Sequence, residues 1–287
     1  MNQSALRKQT LSCVRRVVLK LGSSVVTTEE GLDLGIIRGI VDDVCRYKAL
    51  GIEFIVVSSG AIAAGVRHLG LKEGARTIPQ KQAAAAVGQS RLMAAYEEAF
   101  GLHGIKVAQL LVTKDDLTHR TRYLNARNTL MALLSWGVVP IINENDTVVV
   151  EEIKVGDNDN LSALVATLAD ADLLLTLSDI EGLMDCDPRT NPDAFLIPIV
   201  EEITPALREL AGGTSSGAGR GGMATKLEAA AKVRTSGIPM IIAKGKVPGV
   251  VHLAMEAELC GTLILPAKER MSARKHWIRY NLEPRES

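Results

Sequence analysis

Two short clusters of acids and amides stand in the stretch from Val138 to Ala163. The first cluster follows an apolar run, Val138 to Ile142, and consists of Asn143, Glu144, Asn145 and Asp146. The second follows a predicted hairpin, Val148 to Val155, and consists of Asp157, Asn158, Asp159 and Asn160. Carboxylates accept hydrogen bonds from an ammonium group, whereas amide NH2 groups and free helix N–H groups donate to carboxylates. The two clusters therefore predict a site for a small zwitterion such as an amino acid.

A second set of residues has the chemistry of a phosphate site. Lys20 follows an apolar run and precedes Gly22 and two serines, so a cation and free backbone N–H groups surround one point. The glycine-rich stretch Gly212 to Gly222 leads into a predicted helix with Lys226 on its first turn. Glycine N–H groups, the helix dipole and this lysine would converge on an anion. The alternatives are a surface lysine before a turn and a disordered linker.

Several better-known motifs are excluded. Gly217 to Gly222 formally matches G-x-G-x-x-G, but no strand precedes it, and Lys226 follows threonine instead of the glycine that a P-loop requires. The run from Asp157 to Asp159 lacks the later glycine and glutamate of an EF-hand loop. Ser59 stands in no G-x-S-x-G motif and has no histidine placed to activate it. A Rossmann enzyme, a P-loop enzyme, an EF-hand protein and a serine hydrolase are therefore not indicated.

The remaining combination indicates phosphoryl transfer to an amino acid. A side-chain carboxylate as acceptor is already ionised at neutral pH, since glutamate titrates near about 4.3, and so needs no general base. The histidines all lie outside these motifs, at His68, His103, His119, His252 and His276. The task of such an enzyme is to neutralise charge and to hold anionic groups in line.

The elements that position these residues can be predicted from hydrophobic patterning. Near-continuous apolar runs at Val17–Leu19, Phe54–Val57, Val138–Ile142 and Leu173–Leu175 alternate with helical stretches. This alternation predicts an α/β fold with a largely parallel sheet covered on both faces, and ligands at the carboxyl ends of its strands. The predicted helices are Ile36–Ala49, Gln80–Ala99, Arg120–Ser135, Leu161–Ala169 and Met223–Thr235. Gly261 to Pro266 is predicted to be an edge strand.

Composition limits the class of protein. The 287 residues include 33 Lys plus Arg and 33 Asp plus Glu, and 47% are hydrophobic. This balance argues against a nucleic-acid-binding protein, and no apolar run reaches the roughly 20 residues of a membrane span. The cysteines at 13, 45, 186 and 260 show no paired spacing, which indicates free thiols in a reducing cytoplasm. Residues 1–12 have no apolar secretion signal and are interpreted as a loose N-terminal tail.

These residues resemble the glutamate 5-kinase family of the amino acid kinase superfamily. The resemblance spans about Val17 to Pro266, and its matching stretches include VVLKLGSS, VVSSGAIAAGVRHLG, AAVGQSRLM, VPIINENDTV, EIKVGDNDNLSALVA, LSDIEGLMDCDPRTNP and GGMATKLEAA. It implies a three-layer αβα sandwich, the amino acid kinase fold, over residues 13–266. It also implies ATP-dependent formation of γ-glutamyl phosphate, the first step towards proline.

The resemblance implies a role for each matching residue. Lys20 and Lys226 would stabilise the transferring phosphoryl group, and Asp159 would hold both lysines. Ser59, Asp146 and Asn158 would bind glutamate. The ATP site would be lined by Lys20, Ser178, Asp179, Gly221, Gly222, Met223, Ala224, Thr225 and Lys226. Magnesium would be held mainly by the ATP phosphates.

The resemblance further implies a homo-oligomer, a dimer or tetramer, and feedback inhibition by proline. Residues 267–287 resemble the opening of a PUA domain that stops short, and Arg220 stands where the family often has threonine. A relative that phosphorylates N-acetylglutamate, aspartate, carbamate or UMP is an alternative, although Asp146 argues against N-acetylglutamate, which lacks an ammonium group. An RNA-binding regulator is a further alternative, disfavoured by an aromatic content of 3%.

Overall fold

The computed structural model describes residues 2–148, 157–188, 191–212 and 222–268. Ten strands occur in the described residues: β1 Arg16–Leu21, β2 Thr27–Thr28, β3 Gly31–Leu32, β4 Glu53–Ser58, β5 Val107–Val112, β6 Val139–Glu144, β7 Leu173–Ser178, β8 Ile199–Val200, β9 Met240–Lys244 and β10 Thr262–Ile264. The helices are α1 Gln3–Leu11, α2 Ser23–Val26, α3 Leu34–Ala49, α4 Ala61–His68, α5 Ile78–Gly101, α6 Lys114–Thr118, α7 Arg120–Ser135, α8 Asp157–Leu168, α9 Pro205–Gly212, α10 Met223–Thr235 and α11 Val250–Met255.

Eight of these strands form one sheet in the order β5-β6-β4-β1-β7-β9-β10-β8. The strands from β5 to β9 in this order are parallel, while β10 is antiparallel to β9 and parallel to β8. The carboxyl ends of the six parallel strands therefore lie along one side of the molecule, which we call the carboxyl edge. The short strands β2 and β3 form a separate antiparallel pair.

Helices cover both faces of the large sheet and bury alternate strand residues. Val17, Leu19 and Leu21 belong to a core with α3, α5 and α11, whereas Val18 faces a second core with α7, α8 and α10. The central strands are buried on both sides, which is why they read as continuous apolar runs and not as an alternation. The result is a helix–sheet–helix sandwich, so the predicted α/β fold is confirmed.

The predicted elements are found with small shifts at their ends. The helices Arg120–Ser135 and Met223–Thr235 have the predicted bounds, and the other three begin two to four residues earlier than predicted. The helix predicted from Gln80 begins at Ile78, since Thr77 and Gln80 form a capping box. In the described part of the chain, no helix is long and apolar enough to cross a membrane.

Two predictions were wrong. The strand β10 is not an edge strand, because β8 pairs with its outer side; a strand of two residues leaves no readable pattern in the sequence. Residues 3–11 are not a loose tail but the helix α1, which is anchored by the fully buried Arg7. The predicted hairpin lies, apart from Val148, outside the described residues, as do Arg220 and residues 269–287.

A candidate active site at the carboxyl edge of the sheet

Two side-chain networks meet at the carboxyl edge, and helix α8 contributes to both. Strand β1 supplies Lys20, and the residues that follow β4 and β6 approach it from neighbouring positions in the sheet. Helices α8 and α10 begin above this edge and pack against each other. Residues that are far apart in sequence are thereby placed around one point.

The first network joins two lysines through one carboxylate. The Nζ of Lys20 lies 2.6 Å from Oδ1 of Asp159, and the Nζ of Lys226 lies 3.2 Å from Oδ2 of the same residue. The hydroxyl of Thr225 donates to that Oδ2 at 2.8 Å. The exposed fractions of Lys20, Asp159 and Lys226 are 5%, 1% and 4%. We call these three residues the Lys–Asp–Lys triad.

The triad carries one net positive charge in a region with little access to water. Burial raises the pKa of Asp159, but Lys20 and Lys226 outweigh this effect and hold the pKa below its usual value. Burial lowers the pKa of Lys20, and Asp159 offsets only part of that change while the like charge of Lys226 adds to it. Such a buried, charged group is suited to meet an anionic ligand.

The backbone around the triad leaves space for that ligand. Helix α10 begins after Gly222, which as a glycine has no side chain to cap the N-terminus of the helix. Its first N–H groups are therefore directed towards the same edge as Lys226. A Cβ atom at Gly22 would lie 3.3 Å from the carbonyl oxygen of Leu177 and 3.9 Å from the Nζ of Lys20. Glycine at this position thus keeps the approach to Lys20 open.

The second network consists of amides and a serine. Asn158 donates from Nδ2 to Oγ of Ser59 at 2.7 Å and to Oδ1 of Asn143 at 3.1 Å. Asn143 in turn donates from Nδ2 to Oε1 of Gln89 at 2.9 Å. Ser59 follows β4 directly and precedes Gly60, whose φ of +100° turns the chain into α4. We call Ser59, Asn158, Asn143 and Gln89 the amide cluster.

The remaining predicted site residues lie along the same edge. Ser178 ends β7 and donates from its hydroxyl to Asp179 at 2.9 Å. Asp146 is half-buried in the turn after β6, and Met223 and Ala224 form the start of α10 with Thr225. Gly221 lies outside the described residues. The structure thus brings Lys20, Asp159, Thr225 and Lys226 into contact, and separately Ser59 and Asn158.

Sequence reasoning missed the part played by Gln89. It lies on α5, which also supplies Tyr96, whose hydroxyl is 2.8 Å from that of buried Ser58. A glutamine among small residues, between Gly88 and Ser90, could have signalled a polar contact where the helix meets the sheet. The exposed fraction of Gln89 is only 8%.

A model of the amino acid kinase family matches residues 15–244 of the chain. The match covers the strands and helices that carry both networks. The chain therefore belongs to the amino acid kinase family.

Curated relatives identify the branch of this family. The glutamate 5-kinases of Pelobacter propionicus and Geobacter sulfurreducens are each 54% identical over 280 residues, which cover 97% of this chain and 75% of theirs. The glutamate 5-kinase of Syntrophus aciditrophicus is 47% identical over 279 residues, covering 97% and 72%. The branch to which the chain belongs is that of the glutamate 5-kinases.

Solved structures share the fold at low identity. An isopentenyl phosphate kinase of T. acidophilum has a TM-score of 0.59 and 20% identity, covering 87% of this chain and 99% of that one. A UMP kinase of Bacillus anthracis has a TM-score of 0.60 and 16% identity, covering 88% and 96%. The predicted αβα sandwich is thus the one found in these kinases.

Proposed function

We propose that this protein transfers the γ-phosphoryl group of ATP to the side-chain carboxylate of L-glutamate and forms γ-glutamyl phosphate, the first step of proline biosynthesis. One observation carries the proposal: the consecutive residues Asn158 and Asp159 on α8 belong to the amide cluster and to the Lys–Asp–Lys triad. A zwitterion site and an anion site are therefore adjacent. The names of the curated relatives, glutamate 5-kinases, support the same substrate.

The residues act mainly through charge and position. Lys20 and Lys226 neutralise the negative charge that develops on the transferring group, and Asp159 fixes the separation of the two ammonium groups. Ser59, Asn158 and Asp146 hold glutamate so that its side-chain carboxylate points at the triad. This carboxylate is ionised at neutral pH, so the site needs no base to activate it.

The nucleotide fits the start of α10. Gly222 to Lys226 would cradle its phosphates with backbone N–H groups and one ammonium group, while Ser178 and Asp179 lie at the end of β7. Gly221 is proposed to line the same site. Among the described residues, no group of three or more His, Cys, Asp or Glu side chains could hold a metal ion. The resemblance implies that magnesium would be bound mainly by ATP phosphates, where it would supply additional charge neutralisation.

The reaction can be tested by trapping its product. The protein is incubated with ATP, magnesium and hydroxylamine, because hydroxylamine converts acyl phosphates to hydroxamates. Glutamate, N-acetylglutamate and aspartate are compared as acceptors. We expect a hydroxamate with glutamate alone; a signal with N-acetylglutamate or aspartate in its place would reassign the substrate.

The variant Lys226→Ala links this activity to the triad. We expect kcat to fall by at least roughly 100-fold while the glutamate KM changes little, since the charge is needed mainly in the transition state. Lys232→Ala removes the same charge farther along α10, where the lysine donates to Asn160 at 2.7 Å, and serves as the control. A Lys226→Ala protein with unaltered kcat would exclude this lysine from the mechanism.

Two further properties are proposed from the resemblance of the motifs, and a third from the cysteines. Proline would inhibit at or near the amide cluster, which is suited to a small amino acid. The protein would act as a homo-oligomer, a dimer or tetramer. A cytoplasmic location is supported by its four cysteines, none of which is in a disulfide.

A further inference from the structure

A single backbone N–H group fixes the direction of the hydrogen bonds in the amide cluster. The N–H of Glu144 donates to Oδ1 of Asn143 at 2.9 Å, and a backbone N–H can only donate. The carboxamide of Asn143 therefore has its oxygen on that side and its NH2 group on the other. This NH2 group faces Gln89, which must present Oε1 as the acceptor at 2.9 Å.

The orientation of Asn158 is fixed in the same way. The oxygen of Asn143 also accepts from Nδ2 of Asn158 at 3.1 Å, and the Nδ2 of Asn158 reaches Oγ of Ser59 at 2.7 Å. Asn158 is thus held with its NH2 group inside the cluster and its oxygen pointing away. The three carboxamides form a hydrogen-bonded chain. Flipping any one of them would break a hydrogen bond to its neighbour.

Two atoms remain at the ends of this chain. Oδ1 of Asn158 and Nε2 of Gln89 are both buried and have no hydrogen-bond partner in the part of the chain that the structure describes. Burying a polar atom without a partner is unfavourable, and in this cluster at the carboxyl edge of the sheet a bound ligand can supply the partner. One is an acceptor and the other a donor, which together complement an ammonium group and a carboxylate.

We propose that Gln89 is a substrate-binding residue whose Nε2 donates to the α-carboxylate of bound glutamate. The inference rests on the proposed function, which places the side-chain carboxylate of glutamate at the Lys–Asp–Lys triad. Only the α-carboxylate then remains for a second donor. It is attached to the same carbon atom as the ammonium group, which would donate a hydrogen bond to Oδ1 of Asn158. Helix packing brings Gln89 to this position, since neighbouring Gly88 lies against the carbonyl of Ala61, two residues after Ser59.

The test compares two ligands and two variants. The ligands are L-glutamate and its α-amide, which keeps the side-chain carboxylate but replaces the α-carboxylate by a carboxamide. In Gln89→Glu the new carboxylate still accepts from Asn143, so the chain of amides is preserved, while the free donor becomes an acceptor. Gln89→Met has a similar length, no charge and neither donor nor acceptor.

The measured quantity is the ratio of dissociation constants for the two ligands, obtained by calorimetry. Relative to the unmodified protein, we expect the preference for glutamate over its α-amide to fall roughly 100-fold in Gln89→Glu and roughly 10-fold in Gln89→Met. Gln109→Glu, which adds the same charge at an exposed position of β5, should leave the ratio unchanged. Thermal unfolding identifies any variant that fails to fold. If Gln89→Glu does not fold, the ratio is compared for the uncharged Gln89→Met instead.

The outcomes separate recognition from support of the fold. If Gln89 only positions Asn143 and Asn158, both ligands weaken equally and the ratio stays within twofold, which overturns the proposal. A protein that binds glutamate but forms no hydroxamate contradicts only the proposed function. The ratio of the two dissociation constants then still tests whether Gln89 binds the α-carboxylate. Failure to bind glutamate at all overturns both.

Discussion

At the scale of single residues, the Lys–Asp–Lys triad predicts a particular dependence of activity on pH. In the proposed mechanism Lys20 has to be protonated to neutralise phosphate, and its pKa is lowered by burial in spite of Asp159. Activity should therefore decline as pH rises through this lowered pKa. Asp159→Asn removes the negative charge that raises the pKa, so we expect the alkaline decline of kcat/KM to move to lower pH.

The measurement is a pH profile of hydroxamate formation for both proteins. Asp193→Asn, an exposed loop position, controls for the loss of one carboxylate. If kcat/KM declines at the same alkaline pH in Asp159→Asn and in the unmodified protein, Asp159 does not raise the pKa of Lys20.

A second prediction at this scale concerns Thr176, which is paired with Lys20 in the register of β7 and β1. Its hydroxyl is fully buried and has no hydrogen-bond partner in the described residues. Thr176→Val should therefore stabilise the protein by about 1 kcal/mol and raise the Tm by about 2–4 °C. Thr262 is equally buried, but its hydroxyl accepts from the N–H of Leu183 at 2.8 Å and donates to the carbonyl of Ile197 at 2.7 Å.

Thermal unfolding followed by circular dichroism compares the two substitutions. Thr262→Val should lower the Tm, because both partners lose a hydrogen bond. A decrease in both variants would mean that the hydroxyl of Thr176 is satisfied in solution.

At the scale of elements, the geometry of the proposed glutamate site depends on how closely α4 and α5 cross. A Cβ atom at Gly88 would lie 1.7 Å from the carbonyl oxygen of Ala61, and one at Gly65 would lie 1.8 Å from that of Ala84. The two helices are therefore in backbone contact just after Ser59. Gly88→Ala should force them apart, destabilise the protein by about 1–3 kcal/mol and raise the glutamate KM.

Urea unfolding and glutamate kinetics measure the two effects. Gly39→Ala is the matched control, since a Cβ at this position of α3 meets nothing within 4 Å. Alanine should stabilise that helix by roughly 0.5–1 kcal/mol. A Gly88→Ala protein with normal KM would show that this crossing does not position Ser59.

Most elements could be predicted because they depend on local signals. Helix α10 has the predicted bounds. The position of Lys226 on the first turn of this helix could be predicted because the residue comes shortly after the glycines. The role of Gln89 could not be predicted, because it arises from the crossing of α5 with α4, which no local pattern records. The interior place of β10 depends on β8, a strand too short to be identified.

At the scale of the whole molecule, α1 connects the start of the described chain to the segments that lead into β8 and β10. The guanidinium of Arg7 donates to the carbonyl oxygens of Cys260 at 2.7 Å and Pro198 at 3.1 Å. Arg7→Met should lower the free energy of unfolding by roughly 3 kcal/mol, since these carbonyls lose a charged donor. It should also abolish hydrogen-exchange protection in α1.

Hydrogen exchange with mass spectrometry measures both the global and the local effect. The neighbouring exposed Lys8, changed to Met, controls for the loss of one positive charge from α1. If α1 stays protected in Arg7→Met, its apolar contacts suffice and the guanidinium is dispensable.

The reversed direction of β10 has a practical consequence for attaching other domains. This strand ends at Ile264 beside Met240, the first residue of β9, and so at the side of the sheet away from the carboxyl edge. Five residues of β9 correspond to roughly 16 Å of strand. A fluorescent protein or an affinity handle joined after Pro266 would therefore emerge behind the sheet, on the side opposite the candidate active site.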